Sequence, residues 1–121
     1  MRDDLSEMNQ HAASLKILQD EQNPRIARIR FCRPEKLNAI SFDTPKEIRR
    51  AVELANEIDE IHVIVLEGEG SAFCAGYDIT DFAESQLEHP CKQEAQPWDP
   101  MADYRTMRSY TDDYMSLWHS H

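Results

Sequence analysis

Positive charge is scarce in this chain: 13 Lys and Arg stand against 23 Asp and Glu over 121 residues, a formal net charge of −10 at pH 7. Such an acidic balance repels phosphate backbones and anionic lipid, so neither nucleic acid nor a membrane is an expected main partner. Long apolar runs are missing too. None approaches the roughly 20 residues of a transmembrane helix, and Met1-Arg2-Asp3-Asp4 leads into no apolar stretch of signal-peptide type. The expected location is the cytoplasm. Cysteine is limited to Cys32, Cys74 and Cys91, odd in number and without C-x-x-C spacing, which argues against a zinc site or a redox pair. They read as reduced thiols packed as small hydrophobes. Glycine occurs only three times, and with 30% charged residues the collagen-like and low-complexity classes fall away.

What is present suffices for one small domain, because 40% of the residues are hydrophobic. Residues 1–14 are polar and read as a disordered tail, with order beginning near Leu15. Leu15 to Asp20 and Ile26 to Phe31 are short alternating runs separated by Glu21-Gln22-Asn23-Pro24, the pattern of an antiparallel hairpin with one wet face. Pro34 breaks the pattern and opens a loop holding Lys36, Leu37, Asn38 and Ala39. A helix is expected from Thr44 to about Ile58, with Thr44 as cap, Pro45 in the first turn and Glu47 completing a capping box. Its apolar positions Ile48, Ala51, Val52, Ala55 and Ile58 recur at three- and four-residue steps. Ile61 to Leu66 is nearly continuous and β-branched, as in a strand covered on both faces. Residues 85–100 read as an exposed connection. A last helix from Met101 aligns Met101, Tyr104, Met107, Tyr114, Met115 and Trp118 on one stripe and reaches the chain end without a C-cap.

The glycine loop at 68–70 lacks the Gly-Lys-Ser/Thr of a P-loop and the three-glycine spacing of a dinucleotide site. Its company is more informative. Arg33-Pro34-Glu35-Lys36-Leu37-Asn38-Ala39-Ile40, then helix, strand, and Gly70-Ser71-Ala72-Phe73-Cys74-Ala75-Gly76-Tyr77-Asp78-Ile79, follow one another in that order. This arrangement resembles the enoyl-CoA hydratase/isomerase (crotonase) family over residues 15–82. The resemblance implies an α/β fold, the crotonase-like (ClpP/crotonase) ββα superhelix, of which residues 15–121 would be the amino-terminal units. Trp98-Asp99-Pro100 and the Asp112-to-Trp118 segment are similar to the family stretch before its central strand and point to a hydratase-like subgroup.

Chemistry on an acyl-CoA builds negative charge on the thioester oxygen, and preorganised backbone N–H groups stabilise it. The resemblance implies that the first such donor is the backbone N–H of Tyr77. Gly76 would let the backbone approach the ligand, while Asp78 and Ile79 would open a short helix with its positive end near the oxygen, so the resemblance places Gly76, Tyr77, Asp78 and Ile79 among the substrate-binding residues. It further implies that Lys36, Leu37 and Ala39 form the groove for the coenzyme's nucleotide end, with Ala75 on the facing wall and Lys36 against a phosphate. Asn38 reads equally well as a local turn former bonded to nearby backbone. Coenzyme A enters as part of the substrate and no other cofactor is expected. Relatives of full length are expected to form trimers or hexamers.

Other clusters read as structural. His119 and His121 on a helix point apart, which disfavours a metal site. Cys74 reads as packing, Asp78, Asp81 and Glu84 as acidic residues favoured by a helix start, the methionine and aromatic stripe as helix packing, and Asp112-Asp113 as a solvated face. The resemblance places the second oxyanion donor and the two catalytic glutamates beyond His121, so no residue here matches a general acid or base. The expectation is an amino-terminal fragment of an enzyme that hydrates 2-enoyl-CoA. The alternative is a non-catalytic remnant that binds CoA or a partner weakly, or has no function.

Overall fold

A computed structural model describes residues 3–81 and 99–121. Alternating side chains build its sheet. β1 (Leu15–Gln19) and β2 (Ile26–Phe31) pair antiparallel, with Leu15 opposite Phe31 and Ile17 opposite Ile29. Ala27, Ile29 and Phe31 are buried on one face while Arg28 and Arg30 line the other, as the alternation predicts. Asp20 fixes the turn by accepting the Gln22 and Asn23 N–H groups at 2.9 Å each. Its second oxygen takes Arg28 Nε at 2.8 Å, and these bonds, Arg28's first, hold its carboxyl below the ordinary value.

β2 is joined to a parallel neighbour, β3 (Val63–Gly68), through helix α2 (Thr44–Glu57), giving the sheet order β1-β2-β3. A parallel pair needs such a crossover. The expectation that this strand is covered on both faces is corrected. Ile64 and Leu66 pack against the core, whereas Val63 is 51% exposed and Glu67 bridges Arg28 and Arg30 at 3.1 and 2.7 Å. Only one face of the sheet carries helices among the described residues, so the β-branched run has an open side.

Helix α2 buries Ile48, Ala51, Val52, Leu54 and Ala55 against Leu15, Ile17, Ala27 and Ile29. Its first turn differs from the expected capping box. Asp43 is the N-cap and makes no side-chain cap bond, while the Thr44 hydroxyl accepts the Ser41 N–H at 3.0 Å and donates to Ser14 Oγ at 3.0 Å. Glu47 turns away from its own helix end to take the Ala13 N–H and the Ser14 hydroxyl. The reason is tertiary: the segment entering β1 brings donors to Glu47 that a local reading cannot see.

The expected disordered tail is also corrected. Asp3–His11 form helix α1, whose Leu5 and Met8 are buried in the same core. Asn9 closes the outer edge of β1, accepting the Ile17 N–H at 2.8 Å and donating to the Ile17 carbonyl at 2.9 Å. The apolar content of residues 1–14 is low, but Leu5 and Met8 fall one helical turn apart on one face.

The last helix, α3 (Pro100–Trp118), is capped by Asp99, which accepts the Met101 N–H at 2.9 Å. It packs on α2 through Tyr114 and Leu117, with Arg49 Nη1 3.4 Å from Asp113 Oδ1 and Ser120 Oγ 2.9 Å from Asn56 Oδ1. Three expectations change here. Met101, Tyr104, Met107, Met115 and Trp118 are exposed rather than packed. Asp113 is buried rather than solvated, since it lies on the Tyr114–Leu117 side of the helix. The helix is also closed, its His119 N–H reaching the Met115 and Leu117 carbonyls. Glu84, His89, Cys91 and residues 85–98 of the connection read at 85–100 lie outside the described residues, while Asp99 and Pro100 open helix α3 instead of belonging to a connection.

Candidate functional site

The loop after β2 and the loop after β3 leave the same end of the sheet, because parallel strands deliver their carboxyl ends together. The first begins with a single 3-10 turn, Pro34–Lys36, after which Leu37 and Asn38 take positive φ of 52° and 55°. Asn38 makes this conformation tenable. Its Oδ1 accepts the Arg33 N–H at 2.9 Å and its Nδ2 donates to the Glu69 and Ala72 carbonyls at 2.9 and 2.8 Å. The turn-former reading of Asn38 is thus the one observed, with partners that also reach across to the second loop.

The second loop is pinned from below. A Cβ on Gly68 would stand 2.7 Å from the Phe73 carbonyl oxygen, so only glycine allows the chain to fold back this closely. Phe73 meets Phe31 edge to face, centroids 5.5 Å apart. Beyond it Gly76 adopts φ +98°. There the loops run side by side as a parallel bridge between Ile40 and Tyr77. The Ala75 N–H donates to Leu37 O at 3.0 Å, Ile40 N–H to Gly76 O at 2.7 Å and Asp78 N–H to Ile40 O at 2.9 Å. None of these bonds draws on the Tyr77 N–H, which strand alternation turns to the side away from Ile40.

Every site residue read from the sequence therefore lies on one of two adjoining loops. Lys36 and Leu37 are exposed and Ala39 half-buried on the first; Ala75, Tyr77 and Ile79 are exposed and Gly76 half-buried on the second. Among the described residues nothing stands within 4 Å of where a Gly76 Cβ would lie. Asp78 differs from the others, being only 5% exposed. Its Oδ2 receives Arg33 Nη2 at 2.9 Å and its Oδ1 caps the following helical turn through the Thr80 and Asp81 N–H groups at 3.0 and 3.3 Å. Burial alone would push this carboxyl up, but Arg33 and the two N–H groups outweigh it and hold it below the ordinary value.

Arg33 is the residue that motif reading leaves without a role. Its Nη1 also donates to the Ala39 carbonyl at 3.1 Å, so one guanidinium grips both loops. Behind them α3 brings Tyr114 near Tyr77 and Cys74, and burial first, then Tyr77, push its phenol up from 10.0. Cys74 and Cys32 are free and half-buried, and burial raises the Cys32 thiol. Among the described residues no three His, Cys, Asp or Glu side chains gather as metal ligands, and no helix is long and apolar enough to cross a membrane.

A protein-family model described as enoyl-CoA hydratase/isomerase matches residues 21–108. The chain is similar to human enoyl-CoA delta isomerase 2, 41% identical over 59 residues that make up 49% of this chain and 15% of the isomerase. It is similar to 4-chlorobenzoyl coenzyme A dehalogenase-2 of an Arthrobacter species, 39% identical over 61 residues, 50% of this chain and 22% of the dehalogenase. Among solved structures, an enoyl-CoA hydratase from Mycobacterium smegmatis superposes with a TM-score of 0.70 at 36% identity, covering 89% of this chain and 37% of the hydratase. The chain thus spans well under half the length of the relatives it matches.

Proposed function

Because the chain belongs to the enoyl-CoA hydratase/isomerase family and has the crotonase fold of its solved members, we propose that it forms the acyl-CoA-binding wall and the first oxyanion donor of a thioester-processing site. The observation that carries this reading is the parallel bridge between Ile40 and Tyr77, which sets the Lys36–Ala39 loop directly against the Ala75–Ile79 loop. A ligand lying across the bridge would meet Lys36, Leu37 and Ala39 with its nucleotide end and the Tyr77 N–H with its thioester carbonyl.

The donor acts by preorganisation. An N–H already fixed in direction stabilises the growing charge on the thioester oxygen without reorganising at the moment of reaction. Gly76 favours that approach because among the described residues no side chain stands over it. The step it serves, in the complete protein, is hydration of a 2-enoyl-CoA: water adds to the β-carbon as charge moves to the thioester oxygen, and a proton is then delivered to the α-carbon. Asp78 is unsuited to take or give that proton, its oxygens being bound to Arg33 and two helix N–H groups. The chemistry calls on no group beyond the coenzyme A of the substrate. Assembly of the complete protein into trimers or hexamers is part of the same proposal.

Titration of the purified chain with acetyl-CoA, followed calorimetrically and accompanied by far-ultraviolet circular dichroism, tests the reading. Saturable binding by a folded chain is expected, weakened about two- to fivefold by Lys36→Ala, the range of an exposed ion pair. A folded chain that binds neither CoA nor acetyl-CoA would leave the alternative, a remnant without ligand.

A further inference from the structure

We propose that Arg33 and Asp78 are positioning residues whose ion pair sets the spacing between the two loops, and so governs how the chain holds an intact acyl-CoA rather than either of its ends. The proposal rests on the acyl-CoA reading above. Neither side chain is placed to touch a ligand: Arg33 is 18% and Asp78 5% exposed at the side chain, and both point into the junction.

The pair differs in kind from the other links across the junction. Three of these are backbone hydrogen bonds, from Ala75, Ile40 and Asp78, and two come from the Asn38 amide. Arg33 to Asp78 is the charged one. Arg33 is also a hub for its own loop, since its carbonyl accepts the Lys36 and Asn38 N–H groups at 3.0 and 2.9 Å while its Nη1 holds Ala39 O. Asp78 extends the same chain of contacts into the turn that starts at Ile79. A planar guanidinium gripping Ala39 O and Asp78 Oδ2 together fixes a distance and an angle, which a lysine ammonium at the same place does not.

The geometry has a direct consequence for binding. A ligand that touches only the Lys36–Ala39 loop is indifferent to the loop spacing, whereas one that reaches from that loop to Tyr77 N–H is bound at two points and feels every shift between them. Loosening the clasp should therefore separate the two kinds of ligand.

The test uses Arg33→Lys and Asp78→Asn in the full chain, asparagine being able to keep the helix cap. Without ligand, amide hydrogen exchange at Ile40 and Asp78 is expected to accelerate about tenfold, with Ile17 and Ile29 in the hairpin unchanged, as befits loss of a bond to a charged group. With ligand, acetyl-CoA is expected to bind about tenfold more weakly while adenosine 3′,5′-bisphosphate stays within about twofold. Unchanged exchange at Ile40 and Asp78 overturns the clasp. Equal weakening of both probes overturns its positioning role and leaves the acyl-CoA reading intact. Failure of the unsubstituted chain to bind acetyl-CoA overturns that reading and the positioning role with it. Should Arg33→Lys not fold, Asp78→Asn alone decides among these outcomes.

Discussion

Asn38 holds a left-handed backbone and three hydrogen bonds while only 2% exposed. Asn38→Ala would strand the Arg33 N–H and the Glu69 and Ala72 carbonyls and leave the Cβ at positive φ without the hydrogen bonds that offset it. A loss of about 3 kcal/mol is expected in urea unfolding; a loss below about 1 kcal/mol would mean that water replaces the amide. Tyr114 makes a different prediction. A phenol raised above 10.0 in the folded state stabilises fully below that pH and progressively less as the pH climbs past it, because the unfolded chain ionises first. Tyr114→Phe should therefore flatten the alkaline limb of the stability curve above pH 10.0, which pH-stepped thermal unfolding would show. At this scale the sequence was half legible. A turn-forming Asn after Pro34 is visible locally, whereas its carbonyl partners lie 31 and 34 residues away. Arg33 stayed without a role for the same reason, its carboxylate lying 45 residues on.

At the scale of elements, period decided what could be read. The β1–β2 hairpin and the inner face of α2 follow from alternation and three-to-four spacing, and both are observed. Where a neighbour sets the outcome, the local signal misleads: Glu47 serves Ser14 instead of its own helix end, and among the described residues β3 lacks the second cover that its composition suggests. Helix α1 was hidden because only Leu5 and Met8 mark its buried face. Its contribution is measurable. Leu5→Ala should cost about 3 kcal/mol as a fully buried leucine in the common core. Asn9→Ala should do less to global stability but speed hydrogen exchange of the Ile17 amide, whose partner it removes. An Ile17 amide as protected as before would show that α1 does not seal the β1 edge.

For the molecule as a whole, charge and apolar surface pull in opposite directions. A net charge of −10 favours separate molecules, while Tyr104, Met107 and Trp118, the last 80% exposed, present apolar side chains along one helix. Self-association is expected to be weak at low salt and to strengthen as salt screens the repulsion. Sedimentation velocity at rising concentration tests this, with Met107→Gln and Trp118→Gln together suppressing the association. Sedimentation independent of salt and of both substitutions would dissociate the stripe from any self-contact. The family's fold was the most legible level of all, since the resemblance carried by two short motifs with a helix and a strand between them is matched by the family model and by a solved hydratase.

The bonds that shape the two-loop junction join residues 31 to 45 positions apart, and all of them await the docking of β3 beside β2. Hairpin β1–β2 closes over a short turn and has no such wait. During synthesis, then, the growing chain can pair its hairpin locally, whereas the two loops meet only once Asp78 has emerged and returned to Arg33. Until that moment Lys36 and its neighbours are an ordinary loop, and any ligand that needs both walls can recognise only the chain that has completed the return.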